Sequence, residues 1–80
     1  MERRRKDEVD RFTVEAIDGS ERRFTILVLQ TVIEVTTQSG FHEVPGLKEL
    51  VTTNGYHAND LGNGVFEIPA LALKARRLTR

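Results

Sequence analysis

Phe24-Thr25-Ile26-Leu27-Val28-Leu29-Gln30-Thr31-Val32-Ile33-Glu34-Val35-Thr36-Thr37 is the stretch whose reading decides the fold. It is rich in β-branched residues, which suit a pleated and partly buried surface. In its first half Phe24, Ile26 and Val28 alternate with Thr25 and Leu27, the period of a strand with one buried face. Further on the phase changes, because Ile33 and Val35 are odd-numbered where the earlier set is even. Gln30-Thr31 stands at the switch. Such a change predicts a bulge or sharp bend between Val28 and Val32, the device by which one strand serves two sheets or curls into a barrel. A broken strand pair is the alternative. Gln30 should then face solvent or a hydrogen-bond partner.

Upstream, Val9 to Ile17 reads as a strand with Phe12, Val14 and Ala16 on one face and Arg11, Thr13 and Glu15 on the other. Asp18-Gly19-Ser20 turns the chain. If Phe12 and Val14 share a face with Phe24 and Ile26, paired positions sum to an even number, which favours a three-residue loop with a bulge over a two-residue one. Downstream, Thr36 to Gly46 is polar and punctuated and reads as one long loop carrying Phe41 and His42. Strands follow at Leu47–Thr52, Tyr56–Leu61 and Val65–Ile68, separated by Asn54-Gly55 and Asn63-Gly64 turns. Residues 70–78 read as a last strand, from the alternation of Leu71, Leu73 and Ala75, or as a short helix opened by Pro69.

The fold class is therefore all-β or mainly β: a small antiparallel meander of five to six strands curled into a half-open barrel. The expected core is Phe12, Val14, Phe24, Ile26, Val28, Ile33, Val35, Leu47, Leu50, Val51, Phe66, Ile68 and Leu78. Residues 1–8 read as a disordered basic tail, and residues 9–80 as one small β domain.

Composition narrows the function classes. Apolar residues are 39% of the 80-residue chain and charged residues 30%, which is globular. With no cysteine there is no disulfide, thiolate metal site or thiol nucleophile, and a reducing cytoplasm is the expected location. No apolar segment follows the basic start, so no secretory signal is read there. The longest apolar run, Ile26-Leu27-Val28-Leu29, is far short of the ~20 residues of a membrane helix. Net charge is zero but uneven: two basic ends (Arg3, Arg4, Arg5 and Lys6; Lys74, Arg76, Arg77 and Arg80) flank a body of net charge −7.

At Pro45-Gly46-Leu47-Lys48, Thr53-Asn54-Gly55, Asn59 and Gly64-Val65-Phe66-Glu67-Ile68, the chain resembles a group of very small uncharacterised bacterial proteins. That group shares an Asp-Gly hairpin near the start, a Pro-Gly-Leu-Lys turn, a Thr-x-Gly turn, a Phe-Glu-Ile strand and a basic C-terminal strand. The resemblance covers most of residues 10–78. It implies a compact β fold and a bacterial or mobile-element origin, and no activity. Residues 70–75 depart from it, where a Gly-containing turn would be expected.

No catalytic constellation is legible. His42-Glu43 and His57 with Asn59 and Asp60 could in principle ligate Zn²⁺, but no helical spacing joins them. Ser20 and Ser39 sit in turn chemistry, and Gly62-Asn63-Gly64 leads into a strand rather than a phosphate-binding helix. The expectation is a non-enzymatic module without metal or cofactor that binds protein or itself, with a homodimer through 24–35. Nucleic-acid binding by the basic ends is the alternative, and no membrane role is read. Candidate partner-binding residues are Phe41, His42, Tyr56, Arg22, Arg23, Arg76 and Arg77, as exposed aromatics and cations.

Overall fold

The computed structural model describes residues 2–78. Six strands follow in chain order: β1 (Glu2–Ala16), β2 (Arg23–Thr37), β3 (Gly40–Thr52), β4 (His57–Gly62), β5 (Val65–Ile68) and β6 (Leu73–Arg77). Each pairs antiparallel with the next, and β6 returns to β1 with Val14 opposite Arg77 and Ala16 opposite Ala75, closing a barrel. The protein is all-β. One 3-10 turn, Pro69–Leu71, precedes β6, so the C-terminal segment is a strand.

The first two strands have 15 residues and the third 13, whereas β4 has six and β5 four. β4 pairs with β3 only at Leu50 and Val51, and β6 with β1 only at Val14–Ala16. The remainder of the long strands therefore leaves the barrel as a three-stranded arm built from residues 2–8, 29–37 and 40–47. The molecule measures 57 × 26 × 18 Å as a result.

Cross-strand partners point to the same side of a sheet. The register thus places Val14 and Ala16, Phe24 and Ile26, Leu50 and Thr52, Ala58, Phe66, Ile68, Leu73 and Ala75 inside the barrel. Val14, Ile26, Ile68 and Ala75 have no exposed surface. Phe12, Phe24, Leu50, Tyr56 and Leu71 are partly buried against this cluster. Leu47 (86% exposed) and Leu78 are surface residues instead of core, and Val28, Ile33, Val35 and Val51 are half-buried. Ala58, Leu73, Ala75 and Thr52 fill the interior in their place, because a narrow barrel of short strands takes small side chains.

The expected irregularity falls where the parity changes. Between Gln30 and Val32 the β2–β3 register shifts, leaving Gly46 and Leu47 opposite Thr31. On the other side the β1–β2 register shifts between Glu8 and Asp10, leaving Val9 extra. Both bulges lie in the flanking strands, and β2 runs through unbroken. Gln30 Nε2 donates to the Gly46 carbonyl at 3.4 Å. A Cβ on Gly46 would stand 3.2 Å from Thr31 Cβ, so glycine permits this approach. The β1–β2 pairs Phe12–Ile26 and Val14–Phe24 have the even parity required, but the turn is wider than three residues: its last ladder bond runs from the Ala16 N–H to the Arg22 carbonyl, 2.8 Å.

Two expectations need correction. Residues 2–8, read as a disordered tail, form the first half of β1, paired with Leu29–Val35. An all-charged run gives no apolar alternation, yet an edge strand needs only backbone partners. Residues 36–46, read as a long loop, are a tight turn followed by β3: the Thr37 hydroxyl accepts the Ser39 N–H and Gly40 takes φ 128°. Pro45 is accommodated because β3 has no outer partner at that position. Met1 and Arg80, counted with the charged ends, lie outside the described residues.

Ala72 caps the 3-10 turn in the left-handed region, φ 49° and ψ 44°, a conformation that favours glycine. Left-handed strain costs an Ala roughly 1–2 kcal/mol, whereas glycine loosens the unfolded chain by about 0.4–1 kcal/mol. Ala72→Gly should therefore raise stability by about 0.5 kcal/mol in urea unfolding. In the same assay Ile26→Ala should cost about 2–5 kcal/mol, and Leu47→Ala less than about 0.5.

Candidate functional site

Two surfaces result from this architecture: the arm, and the barrel mouth beneath it. In the arm, β2 is the central strand, flanked only by β1 and β3, and its residues 27–35 are half-buried. The register assigns Leu27, Leu29, Thr31, Ile33 and Val35 to the outer face, with Val44 opposite Ile33 and Val51 opposite Leu27. Gln30, Val32 and Glu34 occupy the other face, beside Arg5, Glu43 and Pro45.

Each face is crossed by an ion pair from β1 to β3. On the outer face Lys6 Nζ lies 2.5 Å from Glu49 Oε1. On the other, Arg5 meets Glu34 and reaches Glu43 Oε2 at 2.8 Å. The Lys6 hydrogen bond holds the Glu49 carboxyl below its ordinary range, while Asp7 and Glu43 raise the Arg5 guanidinium. Exposed large apolar residues gather here as well: Phe41 (59% exposed) and Val44 on the arm, Val9 and Leu47 at the bulges of its root. The edges are guarded. Residues 2–8 of β1 are charged throughout, and β3 carries Pro45, both features that discourage strand addition.

The candidate residues separate. Phe41 and His42 sit exposed on β3 near the arm tip, as β-strand residues opposite Thr36 and Val35. Tyr56 does not join them: it lies at the β3–β4 turn, partly buried, its N–H donating to Thr52 Oγ1 at 3.0 Å. Arg23 and Arg76 are brought into one row on the barrel's outer wall, on either side of Glu15, which pairs with Arg23 at 2.9 Å. Arg22 is tied to Asp18 at 3.1 Å. Arg77 points the other way, into the mouth, with its guanidinium carbon 4.3 Å from the centre of the Phe12 ring.

Lys48 and Asp60 join Arg77 at that mouth; the sequence offers Lys48 only as a turn residue and Asp60 only as a conceivable metal ligand, and neither as a partner-binding residue. The signal was inward parity: Lys48 is in phase with Leu50 and Thr52, and Asp60 with Ala58. Among the described residues no group of three His, Asp or Glu side chains is placed to hold a metal ion, and no helix is long and apolar enough to cross a membrane. No family model, curated protein or solved structure matches the chain.

Because Glu49 has a folded pKa below its unfolded one, its pairing stabilises above the unfolded value and is lost as pH falls through the folded value. Acidification through the carboxylate range should therefore weaken the arm, with lower amide protection factors at residues 29–35. Lys6→Met should remove part of that pH dependence while leaving barrel amides unchanged.

Proposed function

We propose that this chain is a non-enzymatic binding module that associates with a second copy of itself through the outer face of the arm. The observation carrying the reading is the single-layer apolar row Leu27, Leu29, Ile33 and Val35, with Val44 and Val51 beside it. A sheet face of this kind gains stability when a second layer covers it. Guarded edges direct a partner to the face. A two-fold axis along β2 sets the β1 side of one copy over the β3 side of the other, and the outer-face charges of β1 (Glu2, Arg4, Lys6 and Glu8) sum to zero, so no net like-charge repulsion opposes the pairing. The basic residues speak less for nucleic acid: Arg4, Arg5, Lys6, Arg11, Arg22 and Arg23 are all engaged by carboxylates of the same chain.

Sedimentation velocity at micromolar concentration should give a dimer. Ile33→Asp should give a monomer with unchanged far-ultraviolet dichroism, and Phe41→Ala, on the opposite face, should leave the dimer intact. A native chain that stays monomeric rejects self-association. Nucleic-acid binding that falls steeply with salt, with a slope flattened by about one on Arg76→Gln, would favour that function instead.

A further inference from the structure

The barrel end that faces the arm is built unlike a structural plug. Its last interior layer is apolar: Phe12, Val28, Leu50 and Phe66, with the two rings 5.1 Å apart and tilted by 41°. The next inward-facing positions carry Lys48, Asp60 and Arg77. Together these seven residues line an open cleft of about 400 Å³, within the size range of small-molecule sites.

The charges at its rim are available. Neither Lys48 nor Arg77 forms an ion pair among the described residues, although most other cations of the chain do. Both are solvent-exposed, so placing these charges at the mouth carries little desolvation penalty. Arg77 is nonetheless held in place: its N–H donates to the Gly64 carbonyl at 2.7 Å, and its guanidinium rests on Phe12. Asp60 uses Oδ1 to accept the Gly62 N–H at 2.8 Å. The rim therefore has net charge +1 above a floor of rings and branched aliphatics.

We infer that this mouth binds a small planar aromatic anion. A flat ring would lie over Val28, Leu50 and Phe66, beside the Phe12 ring that Arg77 already covers, and its anionic group would sit between Lys48 and Arg77. A second ring stacked against the Arg77 guanidinium extends the contact already made by Phe12. A charge without a ring would leave the floor wet, and a ring without a charge would leave the cations unused. The class is set by the two features together.

The test is an amide NMR titration of the full chain with three probes: naphthoate, naphthylmethanol and inorganic phosphate. Naphthoate should produce saturable shifts confined to the surroundings of Phe12, Val28, Lys48, Leu50, Asp60, Phe66 and Arg77. It should bind at least about tenfold more tightly than naphthylmethanol, since a charged hydrogen bond is generally worth that factor or more. Phosphate alone should not saturate the mouth at millimolar concentration. Lys48→Met and Arg77→Gln should each weaken naphthoate about tenfold, whereas Arg76→Gln, one residue away on the outer wall, should not. If Arg77→Gln disturbs the barrel, Lys48→Met, at an exposed position, decides alone. Absence of saturation, shifts spread along the arm, equal binding of naphthylmethanol, or equal weakening by Arg76→Gln would each overturn the inference.

Discussion

Strand β2 is paired on both sides along most of its length, and the rest of the structure is arranged around that double ladder. Its first half belongs to a closed barrel, which demands curvature, and its second half to a single-layer arm. An uninterrupted three-strand register cannot change curvature so abruptly. Val9, extra in β1 between the partners of Val28 and Leu29, and one extra residue in β3, where Gly46 and Leu47 oppose Thr31, fall within three residues of each other along β2 and absorb the mismatch. They also fix where the mouth opens, which is why Lys48, the first regular residue beyond the bulge, stands at its rim. Val9 and Leu47 are exposed for the same reason, since a bulged residue loses its place in the alternation.

The arm then faces the problem of any single layer, that its central strand has two faces and no core. Long charged side chains answer part of it. The stems of Arg5 and Lys6 cross over β2 to reach Glu43 and Glu49, covering apolar surface while their charged ends stay wet. Exposed ion pairs of this kind are screened by solvent and contribute little, so they orient the strands more than they hold them. The arm is consequently the low-stability part of the molecule, and surfaces that engage partners are commonly drawn from that part.

Much of this was legible in the residues. The parity change at Gln30-Thr31 located the bulges, the even-sum rule gave the parity of the β1–β2 pairs beyond Val9 but not the width of their turn, and Asn54-Gly55 and Asn63-Gly64 marked real turns. What escaped notice did so for physical reasons. Glu2–Glu8 has no apolar alternation, because an edge strand outside the barrel buries neither face. Pro45-Gly46 was read as loop punctuation, but a proline on a free edge and a glycine at a bulge are both compatible with a strand. Phe41 was therefore placed on a loop when it sits on β3. Leu47 was assigned to the core from its hydrophobicity alone, while Ala58 and Ala75 were passed over because barrel closure, not side-chain size, decides what is interior. The mouth is hard to see in the sequence because Lys48 and Asp60 are inward by phase, whereas their charge alone marks them as surface residues.

Alternation along β2 also separates the two surfaces. Val28 faces the mouth, while its neighbours Leu27 and Leu29 face outward with Val51 and Glu49. A layer packed on the outer face would cover Leu29, Ile33 and Val35 and leave Phe12, Lys48 and Arg77 open on the other side of the same sheet. Occupation of one surface therefore does not block the other sterically. Any coupling between them has to pass through the backbone of β2 and the bulges beside it, where Gln30, the side chain at the junction, is hydrogen-bonded to the Gly46 carbonyl.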